Sequence, residues 1–91
     1  MRVKVKFFAY FRETFGGKER EIECPPDTTV GRLLDGLAGA PAGRDELFEG
    51  DGLKPHVIVL INGASLASRG GLPAPLRDGD VVAVFPMMGG G

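Results

Sequence analysis

Apolar and polar residues alternate over Val3-Lys4-Val5-Lys6-Phe7, so the valines and Phe7 share one face of a strand and the lysines the other. Phe8 then places an aromatic ring on the lysine side. Ala9 to Phe15 reads as a short helical turn or irregular link closed by Gly16-Gly17, which lies at or near a hairpin turn. Glu19 to Cys24 alternates again, with Ile22 and Cys24 inward and Glu21 and Glu23 outward. Pro25-Pro26 ends that strand, and Asp27-Thr28-Thr29 offers capping oxygens. Val30, Leu33, Leu34 and Leu37 follow at the spacing of one helical face, although Gly31 and Gly36 lower the intrinsic propensity. Gly39 to Gly43 ends this helix. Arg44 to Glu49 suits one further turn, and Gly50-Asp51-Gly52 reads as loop.

Val57 to Ile61 is apolar on both parities, as expected for a central strand covered on much of both faces. Asn62-Gly63 is the strongest local turn signal. A short edge strand is expected over 64–68, a loop over 70–76, and a polar turn at Arg77-Asp78-Gly79-Asp80 before the last strand, Val81 to Phe85. The order gives an α+β domain with a mixed four- to five-stranded sheet and one main helix on one face. A right-handed crossover makes the first and last strands neighbours. If Val82 and Val84 face the helix, Phe85 joins Phe8 on the open face. Two rings so placed suggest a docking surface; filling of the core is the other reading of them.

With 91 residues, one small domain is expected. A net charge of −1 argues for neither nucleic acid nor an anionic membrane. Apolar runs are too short to span a bilayer, and the N-terminus lacks a signal-peptide core, so a cytoplasmic location is expected. Cys24 stands alone, which fits a reducing compartment, and its alternation with Ile22 reads as a small buried apolar side chain. His56 has no second ligand at metal spacing and reads as a strand-edge residue; no metal site is expected.

The sequence ends Phe85-Pro86-Met87-Met88-Gly89-Gly90-Gly91. Three glycines form a thin thread with a carboxylate at its tip, able to enter passages closed to other residues. A frayed end or a cloning remnant would also leave three glycines.

Taken with the tail, five stretches together resemble the MoaD/ThiS family of ubiquitin-like sulfur carriers. They are Val5 to Glu13, Thr29-Val30 leading into Leu33-Leu34, Ile61-Asn62-Gly63, Pro75 to Asp80, and Phe85 to Gly91. The segment Gly52 to Val57 and the pair Gly70-Gly71 look like a long, archaeal-type MoaD-like subclass. Family tails place a small residue before a terminal Gly-Gly; Gly89 fills that place, leaving Gly90-Gly91 as the pair.

The resemblance implies a β-grasp domain over 1–88 and a glycine tail over 89–91. It implies that an E1-like enzyme of the MoeB/ThiF type uses ATP to adenylate Gly91, and that sulfur then replaces AMP to leave a thiocarboxylate. Gly91 is the acyl carrier, Gly90 its companion and Gly89 a spacer. The resemblance also implies a chain that binds no cofactor, brings no catalytic side chain and acts as a protein cosubstrate. Phe8, Phe85, Met87, Met88 and Gly89 are the expected partner-binding residues. The leading implied role is small subunit of molybdopterin synthase beside a MoaE-like large subunit, in the route to a molybdenum or tungsten cofactor. Sulfur donation to thiamine, cysteine or tRNA, and attachment to lysines, use the same adenylated tail.

Overall fold

Alternation at the N-terminus produces strand β1 (Arg2–Phe7), which pairs antiparallel with β2 (Glu19–Glu23) across the link containing the short helix α1 (Phe11–Thr14). The computed structural model describes residues 1–38 and 41–87. Two helices follow, α2 (Val30–Ala38) and α3 (Pro41–Leu47), then a small hairpin of β3 (Phe48–Glu49) and β4 (Gly52–Leu53). The chain returns to the main sheet through β5 (Val57–Ile61), β6 (Ala64–Ser65), a 3₁₀ turn (Ala67–Arg69) and β7 (Val81–Pro86). The five-stranded sheet has the order β2-β1-β7-β5-β6, with β7 in the centre, parallel to β1 and antiparallel to β5.

Period two sorts the sheet residues. Val3, Val5, Phe7, Val57, Val59, Ile61, Val82 and Val84 are buried against the helices. Lys4, Lys6, Ile58, Leu60, Val81, Ala83 and Phe85 take the other parity, and none of them is buried. The expectation that β5 is covered on both faces therefore fails on this side. Ile58 and Leu60 are apolar and half-exposed because they belong to an open apolar face.

The core also draws on more than the α2 stripe. Phe11 and Phe15 of the α1 region and Leu47 of α3 are buried beside Val30, Leu33 and Leu34. Phe7 and Phe15 stack at 4.9 Å between ring centroids. The segment expected as a helix end and one extra turn is a full helix with Pro41 at its first position, where a missing N–H costs nothing. Burial of Leu47 and an ion pair from Arg44 to Asp35 of α2 hold it, and the Arg44 guanidinium lies 4.7 Å from the Phe48 ring centroid.

Helix α2 begins as its sequence suggests, with one addition. The Thr29 hydroxyl accepts the Arg32 N–H at 3.2 Å. The prolyl loop over 70–76 supplies the rest: Ala74 and Leu72 carbonyls accept the Val30 and Gly31 N–H groups at 2.9 Å each. That approach explains Gly31, where a Cβ would stand 3.3 Å from Leu72.

The two polar turns fasten the start of β7. Asp80 accepts the Arg77 N–H at 2.8 Å and the Asn62 side-chain amide N–H at 2.9 Å, and the side-chain oxygen of Asn62 accepts the Val81 N–H at 2.9 Å. Asp78 accepts the Arg2 N–H at 2.7 Å, and Gly79 donates to the Arg2 carbonyl at 2.8 Å. Asn62 and Gly63 take φ of 51° and 84°, the pair of positive values that an Asn-Gly hairpin turn requires.

Cys24 is half-buried rather than buried, because β2 is a sheet edge that α2 covers only in part. The expected edge strand over 64–68 shortens to Ala64–Ser65, since Ser65 and Ser68 hydrogen-bond across the 3₁₀ turn that follows. Gly36 differs from Gly31: a Cβ there would meet nothing within 4 Å. Gly36→Ala should therefore raise unfolding free energy by about 1 kcal/mol, the helix-propensity difference, in urea denaturation.

Candidate docking site at the end of the last strand

β7 leaves the sheet between the C-terminal end of β1 and the N-terminal end of β5. Pro86 pairs with Val57, and the Met87 N–H donates to the His56 carbonyl at 2.6 Å. His56 thus sits where a strand-edge residue was expected, with its ring centroid 6.4 Å from that of Phe11. On the other flank, the Phe8 N–H donates to the Val84 carbonyl at 3.2 Å, prolonging the β1–β7 ladder past Phe7.

The chain then turns sharply at Ala9, φ 53°, and the Phe11 and Arg12 N–H groups return to the Phe8 and Ala9 carbonyls at 3.2 and 3.1 Å. This turn starts α1 and leaves the Phe8 ring on the open face. There it meets Phe85 edge-on, with centroids 5.9 Å apart and planes at 82°. The expected pairing of these two aromatics is present.

Arg12 braces the pair from outside. Its Nε donates to the Phe7 carbonyl at 3.0 Å, and its guanidinium carbon lies 5.6 Å from the Phe8 centroid. Sheet register continues the apolar surface from Phe85 to Ile58 directly opposite, and from Ala83 to Leu60. Lys6 lies opposite Ala83, so cations border the rings on the β1 side.

Among the described residues the exposed large hydrophobics are Phe8 at 38%, Tyr10 at 42% and Met87 at 57%, and all three belong to this end of the molecule. Phe8 and Met87 were expected at a docking surface. Tyr10 was not, because its segment read only as a link. The sequence signal was an aromatic residue in a turn, next to Phe11, against whose ring it packs at 4.9 Å. Ile58 and Leu60 were also missed. Met88, Gly89, Gly90 and Gly91 lie outside the described residues.

Among the described residues, no group of three His, Cys, Asp or Glu side chains is placed to hold a metal ion, and no helix is long and apolar enough to cross a membrane. The arrangement is suited to contact: rings and aliphatic side chains for burial, with Lys6 and Arg12 at the border for steering.

The sequence profile of the ThiS family matches residues 5–91. Small archaeal modifier protein 3 of Haloferax volcanii is 41% identical over 98 aligned positions, covering 100% of both chains. A Haloferax volcanii protein solved in solution is 40% identical with a TM-score of 0.86, covering 100% of this chain and 87% of its own. A candidate molybdopterin converting factor subunit 1 of Pyrococcus furiosus is 35% identical with a TM-score of 0.76, covering 94% of this chain and 97% of its own.

If Phe8 serves the surface and Phe7 the core, their truncations should differ in cost. Phe7→Ala should lower unfolding free energy by about 4 kcal/mol. Phe8→Ala should lower it by about 1 kcal/mol, the size of an aromatic edge contact. Chemical denaturation of the two variants measures the difference.

Proposed function

Because this chain belongs to the ThiS family of ubiquitin-like proteins, we propose that it works through the carboxylate of Gly91, which an E1-like enzyme activates with ATP. The observation that carries this reading is the open apolar face converging on the exit of β7, with a Pro86-Met87-Met88-Gly89-Gly90-Gly91 sequence beyond it. A carboxylate is a poor electrophile. Attack of its oxygen on the α-phosphorus of ATP expels pyrophosphate and gives a glycyl adenylate. Sulfide then displaces AMP to leave a thiocarboxylate. A donor persulfide instead displaces AMP to give an acyl disulfide, which a second thiol cleaves, releasing the thiocarboxylate and leaving a disulfide between that thiol and the donor. Gly90 and Gly89, lacking Cβ atoms, suit the narrow approach this chemistry needs.

In this reading Phe8, Phe85 and Met87 form the surface on which the activating enzyme seats, and Met88 and Gly89 extend the contact toward its active site. Sulfur then passes to an acceptor. Likeness to the candidate molybdopterin converting factor subunit supports a molybdopterin precursor on a MoaE-like large subunit as that acceptor. Likeness to the Haloferax modifier protein supports a second use of the same adenylate, attack by a lysine amine to form an isopeptide bond.

Incubation with the E1-like enzyme of the same cells, ATP and sulfide should shift the intact mass by one oxygen-to-sulfur exchange. Deletion of Gly91 should abolish the shift; persistence of loading would place the reactive group elsewhere. No Lys or Arg follows Arg77, so tryptic digests of cell protein should reveal any conjugation as lysines bearing the segment 78–91. Its absence under conditions that load sulfur would exclude the modifier use.

A further inference from the structure

We propose that the free edge of β2 and the groove beneath it form a second docking site, which takes an extended acidic–apolar segment of a partner protein as an added strand. Among the described residues β2 pairs with β1 alone. Cys24 and Met1 exchange two backbone hydrogen bonds at 2.8 Å, and Phe7 donates to Lys18 at 2.8 Å. Alternation along an antiparallel ladder then assigns the backbone groups of Lys18, Arg20, Ile22 and Cys24 to β1. Those of Glu19, Glu21 and Glu23 point outward. They form a row of unpaired donors and acceptors that fits strand addition.

A groove of about 630 Å³ runs along this edge between β2 and α2. Its apolar lining is Ile22, Cys24, Leu33 and Leu37, of which all but Leu33 are half-buried. Gly36 lines it too, and no close approach accounts for a glycine there, since a Cβ would meet nothing within 4 Å. This exposed helical glycine weakens α2 and leaves room in the groove.

Charge selects the occupant. Arg20 and Arg32 are exposed and line the groove together with Glu21 and Glu23, and the Arg20 guanidinium also donates to the Phe15 carbonyl at 2.6 Å. Because period two turns the glutamate side chains away, the two guanidiniums favour carboxylates flanking the apolar residues of a segment lying there. Glu19, Glu21 and Glu23 point to the opposite face of the sheet. A second copy adding its β2 in the symmetric antiparallel register would set Glu21 against Glu21 and Glu19 against Glu23, which is repulsive. The fitting strand has valine or isoleucine at alternate positions over the groove, uncharged or basic residues between them, and acid at one end. The groove lies on the helix side of β2, whereas the exit of β7 belongs to the open face. A partner in the groove leaves the C-terminal segment free for its own enzyme.

The test is a titration of isotopically labelled protein with a synthetic peptide of two aspartates followed by valines alternating with threonines. The expected result is shifts at Ile22, Gly36 and Leu37, with amide exchange of Glu21 slowed about tenfold at saturation. Gly36→Leu should abolish binding while leaving the Phe8 and Phe85 signals unchanged. If that variant does not fold, Gly36→Ala should weaken binding several-fold. Arg32→Glu should weaken the aspartate peptide and spare one with lysines in their place. The proposal is overturned by shifts confined to Phe8 and Phe85, by binding without protection of Glu21, or by no shift at millimolar peptide. Concentration-dependent self-association through β2 would overturn it as well.

Discussion

Parallel pairing of β1 with β7 is the constraint from which the rest of the molecule follows. It sets Val5 beside Val82 and Phe7 beside Val84, all four of them fully buried in the core. Because side chains alternate, the same pairing sends Lys6 and Ala83 to the other face, and Phe85 after them. A one-residue slip would bury Phe85 and expose Val84, destroying core and surface together. Core and open face are thus two readings of a single register.

That register is held from the end opposite the C-terminal exit. Asn62, Asp78 and Asp80 do this. They bond backbone groups of Arg2, Arg77 and Val81 and fix where β7 begins relative to β1 and β5. Fixing the beginning also fixes where Pro86 leaves the sheet, beside His56 and Phe8. Polar motifs that mark the family in sequence thereby act on the C-terminal segment through strand alignment.

Elements with a strong period were legible in the sequence: β1, β2, the apolar stripe of α2, the Asn62-Gly63 turn, and the Phe8–Phe85 pair that follows from strand parity. Helix α3 was hidden because Pro41 and Gly43 read as breakers, and tertiary burial of Leu47 outweighs their propensity. Ile58 and Leu60 were misplaced because a continuous apolar run has the same appearance whether its second face is covered or offered to a partner. Tyr10 was missed because exposure in an irregular turn leaves no periodic mark. The groove beside β2 depends on how far α2 leaves the sheet edge uncovered, which no local pattern records.

In the proposed function the open face seats the activating enzyme, while the buried face only maintains the fold. ATP–pyrophosphate exchange measured against concentration of this protein tests it most directly, using Phe8→Ala and Phe85→Ala variants shown to be folded. Each variant should raise KM about tenfold and leave kcat within about twofold, the signature of lost binding rather than lost chemistry. An unchanged KM with both rings removed would contradict it.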